Sequence, residues 1–309
     1  MNNRSKHIDM TVDIAGCKWK NPVTTASGTF SPVESADLYD YSMLGAVTTK
    51  GVSFEPWEGN PTPRIAEASS GMINSVGLEN PGVENYLVND VPFLEKKLNG
   101  TECKIITNVA GHTDQEYIKA VMALNRSKAI DILEINISCP NLQSGGMSFG
   151  TDPRTAHDLI SSIKSVTDKP VIVKLTPNVA NIGEIAKSVE EGGADAISLI
   201  NTLAAMAVDI NTGKPILANT SGGLSGPAIK PVALKMVHDA SETVNIPIIG
   251  MGGISTGKDA LEFLLAGAQA VAVGTAGLLE PGAPLRILDE LESLMNTYGY
   301  TSLADIPKI

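Results

Sequence analysis

Short apolar runs alternate with longer amphipathic segments along most of the chain. The runs are rich in Val and Ile and are bounded by Gly, Pro or polar residues, which is typical of strands buried on both faces of a parallel sheet. They cover residues 22–27, 45–50, 105–110, 132–137, 171–175, 196–201, 246–250 and 270–273. Helical patterns lie between them, at 115–125, 153–166, 182–191, 227–244, 257–266 and 284–297. This alternation predicts an α/β fold, a TIM (β/α)8 barrel.

A doubly wound open sheet is the alternative architecture. The turn after the first strand lacks a G-x-G-x-x-G pattern, so a dinucleotide-binding opening has no support. The chain shows no linker and no low-complexity tract, and we therefore expect one domain over residues 1–309.

Three connections that follow strands are too long to be simple turns, at residues 51–82, 140–152 and 202–226. Because all three leave the carboxyl ends of predicted barrel strands, we expect them to form a lid over that face. The short apolar pair at residues 10–17 is expected to plug the opposite mouth of the barrel.

The amino-acid composition indicates which kinds of binding partner and which cell compartment suit this protein. Of 309 residues 43% are apolar and 4% aromatic, so a large core must be built from aliphatic side chains. The net charge of −11 argues against nucleic acid or an anionic membrane as a partner. We found neither a stretch long enough to span a membrane nor the apolar segment of a signal peptide. Three cysteines without zinc or iron–sulfur spacing fit free thiols in a reducing cytoplasm, and no metal site is expected.

Polar residues end most of the predicted strands. They are Lys50, Asn108, Asn136, Lys174 and the pair Asn201 and Thr202. Strand ends of one barrel face a common mouth, so these groups should converge. Two lysines and several amides suit an anionic, flat ligand that is rich in heteroatoms.

The last two strands end in glycine, at Gly252–Gly253 and at Gly274 before Thr275. Barrel enzymes often hold a phosphate at these two strands with backbone N–H groups and a helix N-terminus. The alternative interpretation is a pair of tight turns. We favour the phosphate site because both glycine ends fall on the strands that the barrel rule names.

Cys139 follows the strand at 132–137 and is the candidate proton-transfer group, since no histidine lies at a strand end. A buried inert thiol is the alternative, and we accept that alternative for Cys17 and Cys103. Lys174, inside an apolar run, could form a Schiff base, stabilise negative charge or make a structural ion pair.

Several segments resemble the dihydroorotate dehydrogenases over nearly the whole chain. They are residues 136–141 (NISCPN), 59–64 (GNPTPR), 74–82 (NSVGLENPG), 221–231 (SGGLSGPAIKP) and 249–254 (IGMGGI). Residues 200–203 (INTL) and 220–226 (TSGGLSG) resemble the class 1B catalytic subunit more than the fumarate-linked class 1A. The CPN motif alone is less specific, because dihydropyrimidine dehydrogenases have a similar one.

The resemblance implies FMN in the barrel mouth with dihydroorotate stacked on it. Cys139 would be the catalytic base that removes the C5 proton while C6 passes hydride to flavin N5. With a flavin bound, Lys174 is best interpreted as a cation beside its N1/O2 edge. The implied substrate-binding positions are Lys50, Asn74, Ser75, Val76, Gly77, Leu78, Asn136, Asn201 and Thr202. The implied FMN-binding positions are Ser27, Lys50, Gly51, Asn108, Asn136, Lys174, Ile200, Gly226, Gly252, Gly253, Gly274 and Thr275.

The class also implies a partner chain. This sequence has no nicotinamide fingerprint and no cysteine cluster, so FAD and a [2Fe–2S] cluster that pass electrons to NAD are expected on a second subunit. The family pattern would be a heterotetramer of two catalytic and two partner chains. The alternatives are a class 1A enzyme, a dihydropyrimidine dehydrogenase, a non-redox Schiff-base lyase and a non-catalytic ligand-binding barrel.

Overall fold

Strands and helices alternate along the part of the chain that the computed structural model describes, residues 8–138, 140–141 and 147–309. In chain order the strands are β1 (Val12–Ile14), β2 (Cys17–Trp19), β3 (Val23–Thr25), β4 (Ala46–Thr48), β5 (Ile65–Ala68), β6 (Gly71–Asn74), β7 (Lys104–Val109), β8 (Ile132–Asn136), β9 (Pro140–Asn141), β10 (Met147–Ser148), β11 (Val171–Lys174), β12 (Ala196–Leu199), β13 (Leu203–Ala205), β14 (Val208–Asp209), β15 (Lys214–Pro215), β16 (Gly222–Ser225), β17 (Ile248–Met251) and β18 (Ala270–Val273). The helices are α1 (Pro32–Ser35), α2 (Val83–Val88), α3 (Asp90–Leu98), α4 (Asp114–Leu124), α5 (Pro153–Lys164), α6 (Ile182–Glu191), α7 (Lys230–Ser241), α8 (Gly257–Leu265), α9 (Thr275–Leu279) and α10 (Ala283–Tyr298).

Eight parallel strands of the described chain form one sheet, in the order β3-β18-β17-β12-β11-β8-β7-β4. The two end strands meet, because the Gly45 N–H donates to the Val23 carbonyl at 3.1 Å. The Thr25 hydroxyl also donates to the Thr48 carbonyl at 3.1 Å and accepts from the Thr48 N–H at 2.8 Å. These bonds close the sheet into the predicted (β/α)8 barrel, and its strands coincide with the eight predicted runs.

The amino-terminal half of the barrel interior is apolar. Inward side chains from the starts of the strands form one cluster with the β1–β2 hairpin: Ile14, Trp19, Ala46, Ile106, Ile132, Ile172, Ala196, Ile249 and Ala270. Ile14 and Trp19 are fully buried in this cluster. The hairpin therefore plugs the amino-terminal mouth, which confirms the prediction for residues 10–17 and leaves the carboxyl ends as the open face.

The helices differ from the predicted pattern at three places. Helix α1 is only four residues long, and α2 with α3 fills a stretch for which the sequence predicted no helix. Their buried residues, Val83, Tyr86, Val91, Leu94 and Leu98, have helical spacing, but the break at Asn89 divides the pattern into pieces too short to recognise. Helix α9 adds a further short turn after β18.

A four-stranded antiparallel sheet, β13-β16-β6-β5, is built from the connections at 51–82 and 202–226. We call this sheet the lid. It is tied to the carboxyl face, since the Thr275 and Ser225 hydroxyls lie 2.8 Å apart and the Asn178 side chain bonds the Thr202 carbonyl and the Ala204 N–H. The predicted lid is confirmed for these two connections. In the third, β9 pairs with β10, and residues 142–146 lie outside the described chain.

No helix in the described part of the chain is both long and apolar enough to cross a bilayer. The organisation of residues 1–309 as a single domain stays a prediction.

Candidate active site

A polar layer lies inside the barrel, directly above the apolar plug. Its members come from four adjacent strands: Asn108 on β7, Glu134 on β8, Lys174 on β11 and Ser198 on β12. In the sheet register Asn108 is opposite Glu134, and Lys174 is opposite Ser198. All four are buried, and we refer to them below as the polar layer.

Glu134 is the centre of this layer, although no role was predicted for it from the sequence. Its side chain is 2% exposed. One carboxylate oxygen accepts a hydrogen bond from Asn108 Nδ2 at 2.5 Å, and the other accepts from Ser198 Oγ at 2.7 Å. A charged residue inside the apolar run 132–137 was the available indication, and it is the same kind of indication that singled out Lys174.

Lys174 donates from Nζ to Ser27 Oγ at 3.0 Å, which brings together two of the predicted FMN-binding positions from β11 and from the loop after β3. Burial lowers the pKa of the Lys174 ammonium, and the nearby Glu134 carboxylate opposes that shift. The interior therefore holds a buried lysine near a carboxyl group that is fixed by two hydrogen bonds, beneath the open mouth.

Asn108 presents a buried acceptor that has no partner. Since Nδ2 bonds the Glu134 carboxylate, the orientation of the amide leaves Oδ1 facing Gly51, and Oδ1 has no hydrogen-bond partner among the described residues. A Cβ added at Gly51 would stand 2.6 Å from this oxygen. The predicted positions Gly51 and Asn108 thus meet at the ends of β4 and β7, beside the exposed side chain of Lys50.

A second polar group lies at the upper ends of β8 and β12. Asn201 Nδ2 donates to Asn136 Oδ1 at 3.2 Å, and the Thr202 N–H donates to Asn201 Oδ1 at 2.9 Å. The Tyr117 hydroxyl fixes the backbone by donating to the Asn136 carbonyl at 2.6 Å. The structure therefore brings together three predicted substrate-binding positions. Cys139, the predicted catalytic base, lies outside the described residues.

The loop at 74–78, which contains the predicted substrate-binding positions Asn74, Ser75, Val76, Gly77 and Leu78, leaves lid strand β6. Asn60 holds this loop: its Nδ2 donates to the Ser75 carbonyl and hydroxyl, both at 3.1 Å, and its N–H donates to the Val76 carbonyl at 3.0 Å. Gly77 has φ +76° and lies so close to Asn60 that a Cβ there would be 2.7 Å away. The Leu78 side chain lies 3.8 Å from a Cβ placed at Gly51, so the loop reaches the mouth at the end of β4.

Asn60 was part of a motif in the sequence analysis but was given no role. Its neighbour Arg64 makes an ion pair with Glu79 and bonds the Asn60 carbonyl, which closes the loop on both sides. Asn74 on β6 attaches the loop to the other half of the lid, since its Nδ2 donates to the Gly223 carbonyl at 3.3 Å.

The predicted glycine positions form a cradle where the lid meets β17. A Cβ at Gly253 would stand 2.8 Å from the Gly226 carbonyl, and one at Gly252 would stand 3.3 Å from the Ile200 side chain. Both glycines have positive φ, +78° and +128° respectively, a backbone region that other residues avoid. Gly274 and Thr275 follow β18 at the same face. These close approaches explain why the positions need glycine.

The amino terminus of α8, which follows this cradle, is occupied by side chains of the protein itself. The N–H groups of Ser255 and Thr256 donate to Asp259, and that of Gly257 donates to Glu290 at 2.6 Å. These N–H groups of the α8 terminus are therefore already bonded within the protein, and the phosphate site at the glycine turns stays a prediction.

The two cysteines in the described residues lie away from this face. Cys17 is in the plug hairpin, and burial raises the pKa of its thiol. Cys103 is buried at the start of β7, and burial raises its pKa to about 12. Both positions fit the inert role expected of them. The His112 ring stacks on Trp57, in the connection at residues 51–82, with ring centroids 3.9 Å apart.

The chain is thus a (β/α)8-barrel protein whose polar side chains converge at the carboxyl ends of its strands. A sequence profile described as "Dihydroorotate dehydrogenase" matches residues 9–295. The chain belongs to this family.

Individual relatives agree over nearly the whole length. A protein of Alkaliphilus metalliredigens is 53% identical over 300 residues, which are 97% of this chain and 98% of the relative. One of Alkaliphilus oremlandii is 54% identical over 299 residues, 96% and 97% of the two chains. One of Bacillus pumilus is 50% identical over 297 residues, 96% and 94%. Each of these relatives is named "Dihydroorotate dehydrogenase B (NAD(+)), catalytic subunit".

Proposed function

We propose that this protein oxidises (S)-dihydroorotate to orotate with bound FMN, a step of pyrimidine (UMP) biosynthesis, as the catalytic subunit of an NAD-linked enzyme. The observation that carries the proposal is the identity of half or more over nearly the full length with relatives that bear this name. The convergence of polar strand ends beneath the lid supports it independently.

The residues of the mouth fit FMN. A glycine cradle at Gly226, Gly252 and Gly253 offers backbone where a phosphate needs close approach, and the lone acceptor Asn108 Oδ1 calls for a donor. Ser27, Lys50, Gly51, Asn136, Ile200, Gly274 and Thr275 complete the proposed FMN-binding set. Bound FMN would supply a ring that accepts hydride and carries negative charge when reduced. Lys174, which is buried inside the barrel, would stabilise that charge in its protonated form.

Dihydroorotate would lie between the FMN ring and the loop at 74–78. Its carboxylate and ring amides match the ammonium of Lys50 and the amides of Asn74, Asn136 and Asn201, with Thr202 and the backbone of residues 75–78 completing the contacts. The loop excludes water from the reacting carbons when it covers the mouth. Cys139 is proposed as the base that takes the C5 proton, since a thiolate can do so at neutral pH in a site closed to solvent.

Electrons would leave through a partner. The relatives are named as catalytic subunits, and this sequence carries neither a nicotinamide fingerprint nor cluster spacing. We propose that a subunit with FAD and a [2Fe–2S] cluster accepts the electrons and reduces NAD, in a cytoplasmic assembly of two catalytic and two partner chains.

Substrate choice tests the proposal. The purified chain should contain a yellow flavin that is identified as FMN after release, and it should oxidise dihydroorotate with an artificial dye as acceptor. Dihydrouracil, which lacks the carboxylate, is the matched control and should react far more slowly. A colourless protein, or equal rates with both substrates, would contradict the proposal; the first result would favour a Schiff-base lyase and the second a dihydropyrimidine dehydrogenase.

A further inference from the structure

Lys174 and Glu134 are the two charged side chains that are buried within the described part of the chain. They lie on the neighbouring strands β11 and β8, where Lys174 is opposite Asn136 and Glu134 is opposite Ile172. A single buried charge is costly because it loses its hydration, and it is tolerated when an opposite charge is buried near it. That the two lie near each other on adjacent strands, without forming a direct ion pair among the described residues, therefore calls for an explanation.

The two groups have different hydrogen-bond partners. Glu134 is fixed by Asn108 and Ser198 from the strands on either side, whereas Lys174 donates to Ser27 at the edge of the mouth. The anion is thus held within the barrel, while the ammonium is drawn toward the open face. A direct ion pair with Glu134 would instead have offset the positive charge of Lys174 at the place where an anionic ligand would contact it.

We infer that Glu134 is a positioning residue: it is the fixed counter-charge that keeps Lys174 a cation at the cofactor site, and it orients the Asn108 amide. A carboxylate accepts and never donates, so it selects Nδ2 of Asn108 and leaves Oδ1 toward Gly51. The inference rests on the proposed function for its flavin readout, but its charge coupling is a property of the chain alone.

A double-mutant cycle on the cofactor-free protein tests the coupling. Glu134→Gln and Lys174→Met should each lower the urea midpoint of unfolding, because each leaves the other charge buried without an opposite charge. The double variant should unfold at a midpoint well above the value expected from adding the two single shifts. Additive shifts would overturn the inference.

The exposed pair Lys235 and Asp239 on α7, 2.6 Å apart, is the matched control for this cycle. Lys235→Met and Asp239→Asn should give small and additive shifts, since exposed ion pairs contribute little. If Glu134→Gln alone fails to fold, recovery of folding in the double variant supports the inference. If Lys174→Met folds but the double variant does not, the inference is contradicted.

The flavin readout separates positioning from a merely structural role. Glu134 is the charged group that acts on the buried Lys174 ammonium, while Ser27 and Ser198 face it as neutral hydroxyls. In FMN-loaded Glu134→Gln, Lys174 should lose its proton at lower pH. The flavin midpoint potential should fall more steeply with pH once Lys174 has lost its proton. The pH at which this steeper fall begins should therefore be lower in Glu134→Gln. Ser198→Ala removes one hydrogen-bond donor to Glu134 without changing charge. The pH dependence of its flavin midpoint potential should therefore stay closer to that of the unsubstituted protein.

An identical pH profile in Glu134→Gln would overturn the inference even if turnover fell. The double-mutant cycle in urea needs no FMN. If only the proposed function is wrong, the protein should bind no flavin and still show non-additive shifts of the unfolding midpoint. A failure of this inference would instead leave a yellow, active protein with additive stability shifts.

Discussion

For single residues, the site depends on which hydrogen-bond partner each buried polar group has. Asn108, Glu134 and Ser198 form a hydrogen-bonded set, and Lys174 is bonded to Ser27. The sequence singled out Lys174 as a candidate because a lysine inside a Val/Ile run is conspicuous. Glu134 is equally conspicuous, but its meaning depends on which strands flank it, and a single sequence does not state strand neighbours.

We predict that Cys139→Ala keeps bound FMN but loses roughly 10²-fold or more in turnover, the range for removal of a general base. Cys139→Ser should recover activity only at high pH, because an alcohol is a much weaker base than a thiol. Steady-state rates with dihydroorotate and a dye, measured across pH, give the comparison. Near-normal turnover of Cys139→Ala at neutral pH would assign the base elsewhere.

Gly51→Ala should weaken FMN binding. The new methyl would stand 2.6 Å from Asn108 Oδ1, so one of the two must move, at a cost of about 1–3 kcal/mol for overpacking. FMN titration followed by fluorescence quenching measures the loss. Gly282→Ala is the control, since Gly282 has φ −76° and no atom within 4 Å of its added Cβ. Equal FMN affinity in both variants would show that the mouth at Gly51 is looser than the structure indicates.

At the scale of elements, the barrel was predictable and the lid was predictable only as a set of loops. The eight strands follow from local apolar runs that are bounded by Gly and Pro. The lid pairs β6 with β16, and its bond between Asn74 and Gly223 joins residues 149 positions apart. Nothing local specifies such a partner. The same holds for α2 and α3, whose short apolar patterns become recognisable only when packed.

We predict that Asn60→Ala raises the KM for dihydroorotate about tenfold while FMN content stays unchanged, since it removes two side-chain bonds that hold the loop at 74–78, each worth ~1 kcal/mol. Steady-state kinetics and flavin content per chain provide the measurement. Asn211→Ala is the control, because Asn211 is an exposed residue whose bonds go to Asp209. A KM that stays the same in Asn60→Ala would mean that the loop keeps its shape without Asn60.

In the whole molecule, one end of the barrel is closed by its own hairpin, and the lid is attached to the rim of the other end. The apolar plug leaves a single end for ligand entry, and the polar layer and strand ends all face that end. The sequence predicted this polarity because barrel chemistry follows strand direction. It could not show how close the lid comes to the glycine cradle, which depends on tertiary contacts.

We predict that the isolated chain reduces dyes with dihydroorotate but reduces NAD only when the FAD and iron–sulfur subunit is added. The chain lacks the sequence features that would bind a pyridine nucleotide or a cluster. An NADH absorbance assay with and without the partner decides the matter, and fumarate serves as a control acceptor. Rapid NAD reduction by the chain alone would remove the need for a partner, and strong use of fumarate would indicate class 1A.

We propose that FMN held in this barrel takes a hydride from dihydroorotate. Anaerobic titration of the purified holoprotein with dihydroorotate, followed by visible absorption, tests this hydride transfer. We predict that the flavin bands bleach as substrate is added and that one orotate appears for each FMN reduced, while Cys139→Ala bleaches far more slowly. If the flavin stays oxidised in excess dihydroorotate, in a protein that retains full FMN, dihydroorotate is not the hydride donor.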